Sequence, residues 1–238
     1  MRGVRADKPA TGVDAEVGIR VKPDSDDPGY ASRGGHKLAG ALSAFPTLTV
    51  SGRRCLDAGA STGGFTDVLL RAGARQVVAV DVGYGQLAWA LRTDDRVDVH
   101  DRTNVRELNP AAIGGTVELA VADLSFISLR LVLPALASCV ERTGDLLPMV
   151  KPQFEVGRER LGSGGVVRDP QLRADAVLCV ARAAAELGWL PAGVVRSPLP
   201  GPSGNVEFFL WLRRMERPSI DDDLIRSVVT APAEGESQ

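Results

Sequence analysis

The sequence lacks several features that mark other classes of protein. Among its 238 residues no apolar run approaches the ~20 residues of a membrane helix, and the N-terminus has no apolar segment typical of a secretion signal. Its three cysteines, Cys55, Cys139 and Cys179, are odd in number and widely spaced, which argues against a disulfide framework or a metal site. The net charge of −2 gives no basic excess of the kind that nucleic-acid enzymes usually carry. These absences favour a cytoplasmic protein that makes no membrane contact and holds no metal, and they leave its oligomeric state open.

A glycine turn follows the first predicted strand. An apolar stretch ends at Asp57 and leads into a turn with Gly59, Gly63 and Gly64, after which Phe65 opens a helical pattern. Strand, turn and helix in this order are typical of α/β proteins that bind nucleotide-like ligands. The turn contains no lysine, which argues against a Walker loop, and its glycines are not spaced as in G-x-G-x-x-G. An acid ahead of the turn suits a ligand with an ammonium and a sulfonium, so the turn predicts S-adenosylmethionine.

Strands and helices alternate along most of the chain. Strands are predicted ahead of Asp57, at 76–81, 97–99, 118–123 and 145–151, near 192–197 and at 206–212, with helices at about 129–140 and 170–187 between them. This order predicts a Rossmann-like α/β fold of the class I S-adenosylmethionine-dependent methyltransferases, with a mostly parallel seven-stranded sheet and helices on both faces. The turn at 198–205 leaves no room for a helix, so the last strand should be antiparallel. We expect a methyltransferase domain at 31–214 and a flexible C-terminal tail at 215–238.

Charged residues stand where the predicted strands end. In open parallel sheets, ligands bind at the carboxyl ends of the strands, so Asp57, Asp81, Asp123 and Lys151 should share one cleft. Asp81 lies about twenty residues beyond the turn, where an acid can accept the ribose hydroxyls of an adenosine. Asp101, after the third strand, is the candidate for the adenine edge. The predicted cofactor-binding residues are therefore Asp57, Gly59, Ala60, Ser61, Thr62, Gly63, Gly64, Asp81, Asp101 and Asp123.

Two lysines and two carboxylates form the predicted catalytic set: Lys37, Asp123, Lys151 and Glu207. A lysine can act as a general base toward an alcohol or stabilise an oxyanion, and the carboxylates would orient the two ammonium groups. The segment after the fourth strand, Asp123-Leu-Ser-Phe126, has neither the Asn/Asp-Pro-Pro-Tyr expected for an amine acceptor nor a cysteine nucleophile. The set therefore favours methylation of a hydroxyl. Contacts to substrate phosphates are predicted for Arg33, Arg158, Arg160 and Arg168, and His36 is a further predicted substrate-binding residue.

Six blocks of the sequence resemble the TlyA family of rRNA 2′-O-methyltransferases, whose catalytic domain is FtsJ-like and whose members are sometimes called haemolysins. The blocks are Ser32–Leu38, Asp57–Thr66, Asp81–Leu87, Asp123–Ser128, Lys151–Glu155 and Gly204–Glu207. The resemblance implies that Lys37, Asp123, Lys151 and Glu207 match the catalytic set, and that the glycine turn and Asp81 match the cofactor site. It also implies methylation of cytidine ribose in 16S and possibly 23S rRNA, with sensitivity to capreomycin and viomycin, and ribosomal subunits as partners.

The front of the chain departs from the family. Full-length members begin with a basic S4-type RNA-binding domain, whereas here only residues 4–21 resemble its last strands, and Tyr30 stands where tryptophan is usual. We therefore expect residues 1–30 to be a remnant of that domain and a linker, with Met1 a misplaced start or a real truncation. Two other functions stay open: a cofactor-binding ribosome-assembly factor without turnover, and a pore-forming haemolysin.

Overall fold

The computed structural model describes residues 27–232, and a seven-stranded sheet forms their centre. Its strands are β1 (Arg54–Ala58), β2 (Gln76–Val80), β3 (Val97–His100), β4 (Val117–Ala122), β5 (Val140–Val150), β6 (Leu190–Arg196) and β7 (Phe208–Arg213). They lie in the order β3-β2-β1-β4-β5-β7-β6. Strands β1 to β5 are parallel, and β7 runs antiparallel to both β5 and β6.

The direction of β7 decides which residues meet at the edge of the sheet where a ligand would bind. The carboxyl ends of β1 to β5 share one edge because these strands are parallel. Since β7 runs the other way, its amino end lies at that same edge. Glu207, the residue before β7, is thereby brought beside Asp123 and Lys151, which directly follow β4 and β5.

Helices cover both faces of the sheet. They are α1 (Arg33–Ala44), α2 (Gly64–Arg71), α3 (Trp89–Arg92), α4 (Leu133–Cys139), α5 (Pro152–Glu155), α6 (Pro170–Glu186) and α7 (Asp222–Thr230). One buried cluster contains Leu38 of α1 and Leu69 of α2, and a second contains Leu136 of α4 and Val177 of α6. Successive strand residues point to opposite faces, so Cys55 joins the first cluster and Leu56 the second.

The predicted fold class is confirmed: a Rossmann-like, mostly parallel seven-stranded sheet with one antiparallel strand and helices on both faces. Strand β5 starts at Val140, five residues earlier than expected, and β7 starts at Phe208, two residues later. The predicted remnant of an S4-type domain falls almost entirely on residues 1–26, which lie outside the described residues. Within residues 27–232 no helix is long and apolar enough to cross a membrane.

The prediction of a flexible tail from residue 215 is wrong for helix α7. Asp221 caps this helix by accepting a hydrogen bond from the Leu224 backbone N–H at 2.9 Å. Ile225 and Val229 lie four positions apart, so they share one helix face, and both are fully buried in the cluster that contains α6. Burial of two branched side chains therefore holds a segment whose composition suggested an unstructured end.

Candidate active site

A cleft of about 270 Å³ opens at the carboxyl edge of the sheet. It lies between the start of α1, the glycine turn after β1, the loop after β4 and the turn between β6 and β7. The turn residues Gly59 to Thr62 form one wall, and Lys37 and Asp123 both face the space. The lining residues are Ser32, Arg33, Gly34, Lys37, Gly59, Ala60, Ser61, Thr62, Gly64, Phe65, Asp123, Pro200 and Pro202.

Two glycines allow the turn to take its course. Gly59 and Gly63 have φ angles of +87° and +99°, in the left-handed region that side chains disfavour. A Cβ atom on Gly59 would lie 2.6 Å from the backbone oxygen of Asp123. The turn is therefore packed directly against the loop after β4, and its backbone is left open toward the cleft.

Asp57 lies behind the glycine turn and is completely buried. Its Oδ2 accepts a hydrogen bond from the Thr66 hydroxyl at 2.7 Å, whereas Oδ1 has no hydrogen-bond partner among the described residues. Burial raises the pKa of this carboxyl to about 7, and the nearby carboxylates of Asp123 and Asp81 act in the same direction. Asp57 is not among the residues that line the cleft.

The two acids after β2 and β3 have different surroundings. Asp81 accepts backbone N–H hydrogen bonds from Ser61 at 2.8 Å and from Gly83 at 2.7 Å, so it connects the end of β2 to the glycine turn. Asp101 forms an ion pair with Arg92 at 2.9 Å, and this guanidinium holds the pKa of its carboxyl below the ordinary value. The carboxylate proposed for the adenine edge is thus engaged by an arginine of α3.

The four predicted catalytic residues form two ion pairs. Lys37 Nζ lies 2.6 Å from Glu207 Oε2, and Lys151 Nζ lies 2.6 Å from Asp123 Oδ1. The side chains of Lys37 and Glu207 are 9% and 1% exposed, whereas the side chain of Asp123 is 23% exposed. Because an unpaired buried charge is costly, each lysine is held by its partner. One member of each pair, Lys37 and Asp123, lines the cleft, and Asp123 is the most exposed of the four side chains.

Several residues around these pairs were missed from the sequence. Lys151 also donates a hydrogen bond to the Ser125 hydroxyl at 2.9 Å, and Gln153 Nε2 donates to Glu207 Oε1 at 3.5 Å. Both residues stand inside blocks that carried the family resemblance, which was the available signal. Pro200 and Pro202 also line the cleft, and their prediction as turn residues gave no sign of this.

Of the five predicted substrate-binding residues, Arg33 lines the cleft. His36 faces elsewhere: its Nε2 lies 3.4 Å from Asp27 Oδ1, and its ring packs edge-on against Tyr30. Arg158, Arg160 and Arg168 are exposed on the loop after α5. In that loop Arg160 donates to the backbone oxygen of Val156 at 2.8 Å, and Arg168 donates to that of Ser163 at 3.4 Å.

Phe126 is an exposed aromatic residue in the loop after β4. Its side chain is 91% exposed, and its φ of +64° places it in the left-handed region. Its ring packs against Phe154 of α5, with centroids 5.3 Å apart. A bulky residue held in this conformation costs free energy, and such strain tends to cluster at functional sites.

The fold and the site define a class of protein. A mostly parallel sheet with a glycine turn after β1, an acid at the end of β2 and a cleft at the carboxyl edge is the arrangement of Rossmann-like methyltransferases. A solved methyltransferase from Burkholderia thailandensis with bound S-adenosylhomocysteine has this fold, with a TM-score of 0.52 at 20% identity over 78% of this chain and 79% of its own. At that identity the likeness concerns the fold alone.

A model of the FtsJ-like methyltransferase family matches residues 30–214, and the chain belongs to this family. It is 60% identical to the 16S/23S rRNA (cytidine-2′-O)-methyltransferase TlyA of Mycobacterium tuberculosis, over 97% of this chain and 87% of the relative. It is 36% identical to Hemolysin A of Brachyspira hyodysenteriae, over 75% of each chain. A solved Streptococcus thermophilus protein that carries a hemolysin name matches with a TM-score of 0.81 at 43% identity, over 87% of this chain and 75% of its own. The resemblance to TlyA is confirmed, and the protein is a methyltransferase.

Family membership implies S-adenosylmethionine as the methyl donor, and the residues at the turn fit it. The backbone of Gly59 to Thr62 lines the cavity, and the missing side chain of Gly59 lets the turn pack directly against the Asp123 backbone. Behind it lies the carboxylate of Asp57, whose Oδ1 has no hydrogen-bond partner within residues 27–232 and suits a positively charged ligand. Asp81 stands at the end of β2 beside the turn.

Proposed function

We propose that the protein methylates the 2′-hydroxyl of a cytidine ribose in ribosomal RNA. The observation that carries this proposal is the Lys151 ammonium, held at 2.6 Å by Asp123 and at 2.9 Å by Ser125. A fixed lysine suits a hydroxyl acceptor, whose proton must leave during methylation. The Mycobacterium tuberculosis relative, which is named for this activity on 16S and 23S rRNA, supports the choice of acceptor.

The donor is assigned to the wall formed by the glycine turn. Backbone groups of Gly59 to Thr62 and the carboxylate of Asp81 would hold S-adenosylmethionine, with the charge of Asp57 behind them. Bound there, the cofactor supplies an electrophilic methyl group on a sulfonium. The protein's main contribution is to align the acceptor oxygen with that methyl group, since positioned reactants gain about 7–11 kcal/mol over free ones.

Lys151 is assigned the proton of the acceptor hydroxyl. As the neutral amine Lys151 would take this proton, whereas as the ammonium it would stabilise the negative charge that develops on the oxygen while the proton passes to water. Its nitrogen is fixed by Asp123 and Ser125 before any substrate binds, so little reorganisation is needed. The deeper pair of Lys37 and Glu207 keeps a second cation at the wall, suited to a neighbouring phosphate, and Arg33 adds another at the same edge.

Phe126 is assigned to the base of the acceptor nucleotide. A ribose inside a folded RNA helix is reached most readily when its nucleotide is turned out of the stack. An unpaired base then needs a new stacking partner, and an aromatic ring supplies about 1–3 kcal/mol. Phe126 is 91% exposed and lies one residue from Ser125, the partner of Lys151.

The central test is the variant Lys151→Ala. Transfer of labelled methyl groups from S-adenosylmethionine to ribosomal subunits that lack this modification should fall below about 1% of wild type, since removal of a general base or oxyanion stabiliser costs at least about 100-fold. The affinity for S-adenosylmethionine, measured by calorimetry, should change by less than about fivefold, because the glycine turn follows β1 whereas Lys151 follows β5. Arg142→Ala, an exposed cation outside the cleft, is the control. Wild-type transfer by the lysine variant would refute the proposal.

Several finer parts of the proposal need separate measurements. Mass spectrometric mapping of both rRNAs after reaction tests whether 16S, 23S or both are modified at cytidine. Deletion and complementation of the gene test sensitivity to capreomycin and viomycin, and cell fractionation tests a cytoplasmic location with ribosomal subunits as partners. If wild-type protein binds the cofactor and the subunits yet transfers no methyl group, it is instead a non-catalytic assembly factor.

A further inference from the structure

Glu155, the last residue of α5, is a buried acid with an unusually complete set of partners. Its side chain is 1% exposed. One carboxylate oxygen accepts from the Ser128 hydroxyl at 2.6 Å, and the other accepts from the Leu129 backbone N–H at 2.7 Å. Arg130 Nε lies 3.6 Å away. Since burial of a carboxylate is costly without such donors, the contacts define one position for the loop after β4.

The loop after β4 and the segment that contains α5 touch at two further places. Lys151, the residue before α5, contacts Asp123 and Ser125 at the start of the loop. In the middle, the ring of Phe154 packs on the ring of Phe126. The contacts follow the same order along both segments, so loop 123–129 runs alongside 151–155 from the catalytic pair to Glu155.

The loop needs an anchor at its far end. Between Asp123 and Ser128 the loop contains no helix or strand, and its residue Phe126 has a left-handed backbone conformation. A strained segment persists only where its surroundings over-determine it. The near end is held by Lys151, a residue that must also serve the reaction. The far end is held by Glu155, which is not among the residues that line the cleft and is assigned no part in the chemistry.

We infer that Glu155 is a positioning residue, whose buried carboxylate holds loop 123–129 against α5 and thereby sets the placement of Asp123 and Ser125 around Lys151. The inference rests on the proposed function, because the groups that it positions are those assigned to the acceptor. It adds a residue that contacts neither substrate nor cofactor. Burial raises the pKa of this carboxyl, and desolvation exceeds the opposing effect of its hydrogen bonds.

The test compares Glu155→Ala with Glu159→Ala, an exposed acid four residues further along the same segment. The first variant should lower kcat for methyl transfer by about 10- to 100-fold, the range expected when reacting groups are displaced by up to about 1 Å. Its affinity for S-adenosylmethionine should stay within about twofold of wild type, because the glycine turn is untouched. The control should retain wild-type kcat.

A second readout separates this inference from the proposed function. Amide hydrogen exchange of Leu129 and of loop 123–128 should accelerate by about tenfold or more in Glu155→Ala, because a hydrogen bond to a charged group is lost. This holds even if the protein transfers no methyl group. Unchanged exchange, a kcat within twofold of wild type, or an equal loss in the control would overturn the inference.

If Glu155→Ala does not fold, Glu155→Gln gives the answer. The carboxamide oxygen can accept a hydrogen bond from the Leu129 N–H, and the carboxamide NH2 can donate one to the Ser128 hydroxyl, so contacts to both residues are kept. This variant should keep kcat within about tenfold of wild type, and adding Ser128→Ala should lower kcat further. A Glu155→Gln variant as inactive as Lys151→Ala would overturn the positioning role.

Discussion

Replacing Asp57 with asparagine should make the cofactor-free protein more stable at alkaline pH while weakening its hold on the cofactor. The native carboxyl is completely buried, and Oδ1 has no hydrogen-bond partner among residues 27–232. The buried charge therefore lowers the free energy of unfolding, and a neutral side chain of the same shape would avoid this loss.

The magnitude follows from the pKa of Asp57, which burial raises from 3.8 to about 7. Between those two values the folded protein binds a proton that the unfolded chain has released, so this group lowers the free energy of unfolding as pH rises. The full effect is about 4 kcal/mol above pH 7, of which roughly 3 kcal/mol develops between pH 5 and pH 8. The side-chain amide NH2 of the asparagine would lack a hydrogen-bond acceptor, which lowers the free energy of unfolding by about 1–3 kcal/mol at all pH values.

Urea unfolding of the wild type and Asp57→Asn, followed by circular dichroism from pH 5 to pH 8 at constant salt, measures this effect. The stability of the variant relative to wild type should rise by about 3 kcal/mol over this range. Asp95→Asn removes the same charge at an exposed site and should show no such trend. A difference that stays constant with pH, or changes with the opposite sign, would show that the Asp57 carboxylate is not penalised by burial.

The same variant tests the role of the charge in cofactor binding. Titration calorimetry at pH 8 should give at least about tenfold weaker affinity for S-adenosylmethionine, because a carboxylate behind the turn attracts a cationic ligand at low dielectric. Asp95→Asn should bind as wild type does. Unchanged affinity would limit Asp57 to a structural role with Thr66.

Three further changes should have distinct effects. Glu207→Ala leaves the buried Lys37 ammonium without its partner and should lower the free energy of unfolding in urea by about 3–5 kcal/mol. The double replacement Lys37→Met/Glu207→Leu should restore most of that loss. Full stability of the single variant would contradict this. Gly59→Ala would place a Cβ atom 2.6 Å from the Asp123 backbone oxygen at a residue in the left-handed conformation, so both stability and cofactor affinity should fall. Wild-type affinity in calorimetry would argue against a cofactor site at the glycine turn. Ile225→Ala leaves a cavity under α7 and should cost about 2–5 kcal/mol, whereas a loss below about 0.5 kcal/mol would mean that α7 is not held by the core.

The sequence by itself determined the class of fold and the chemical types in the site. Strand and helix periodicity are local properties, so the alternating pattern was readable without any structure, as was the strand, turn and helix around Asp57. The rule that ligands bind at the carboxyl ends of parallel strands then placed Asp81, Asp123 and Lys151 at one edge. The Asp123 segment has neither the Asn/Asp-Pro-Pro-Tyr of amine acceptors nor a cysteine nucleophile, and this favoured a hydroxyl as the acceptor.

Only the tertiary structure decided how those residues are paired and exposed. Lys37 and Glu207 are 170 positions apart, and they meet because β7 runs against its neighbours and starts at the cleft. Asp57 is buried behind the turn, and Asp101 is occupied by Arg92. Burial and ion pairing depend on which distant segments close over a residue, and no local pattern reports this. The sequence predicted a cofactor site at the glycine turn, but only the folded chain showed that Asp57 lies behind the cleft wall and that Glu155 binds the loop after β4 through Ser128 and Leu129.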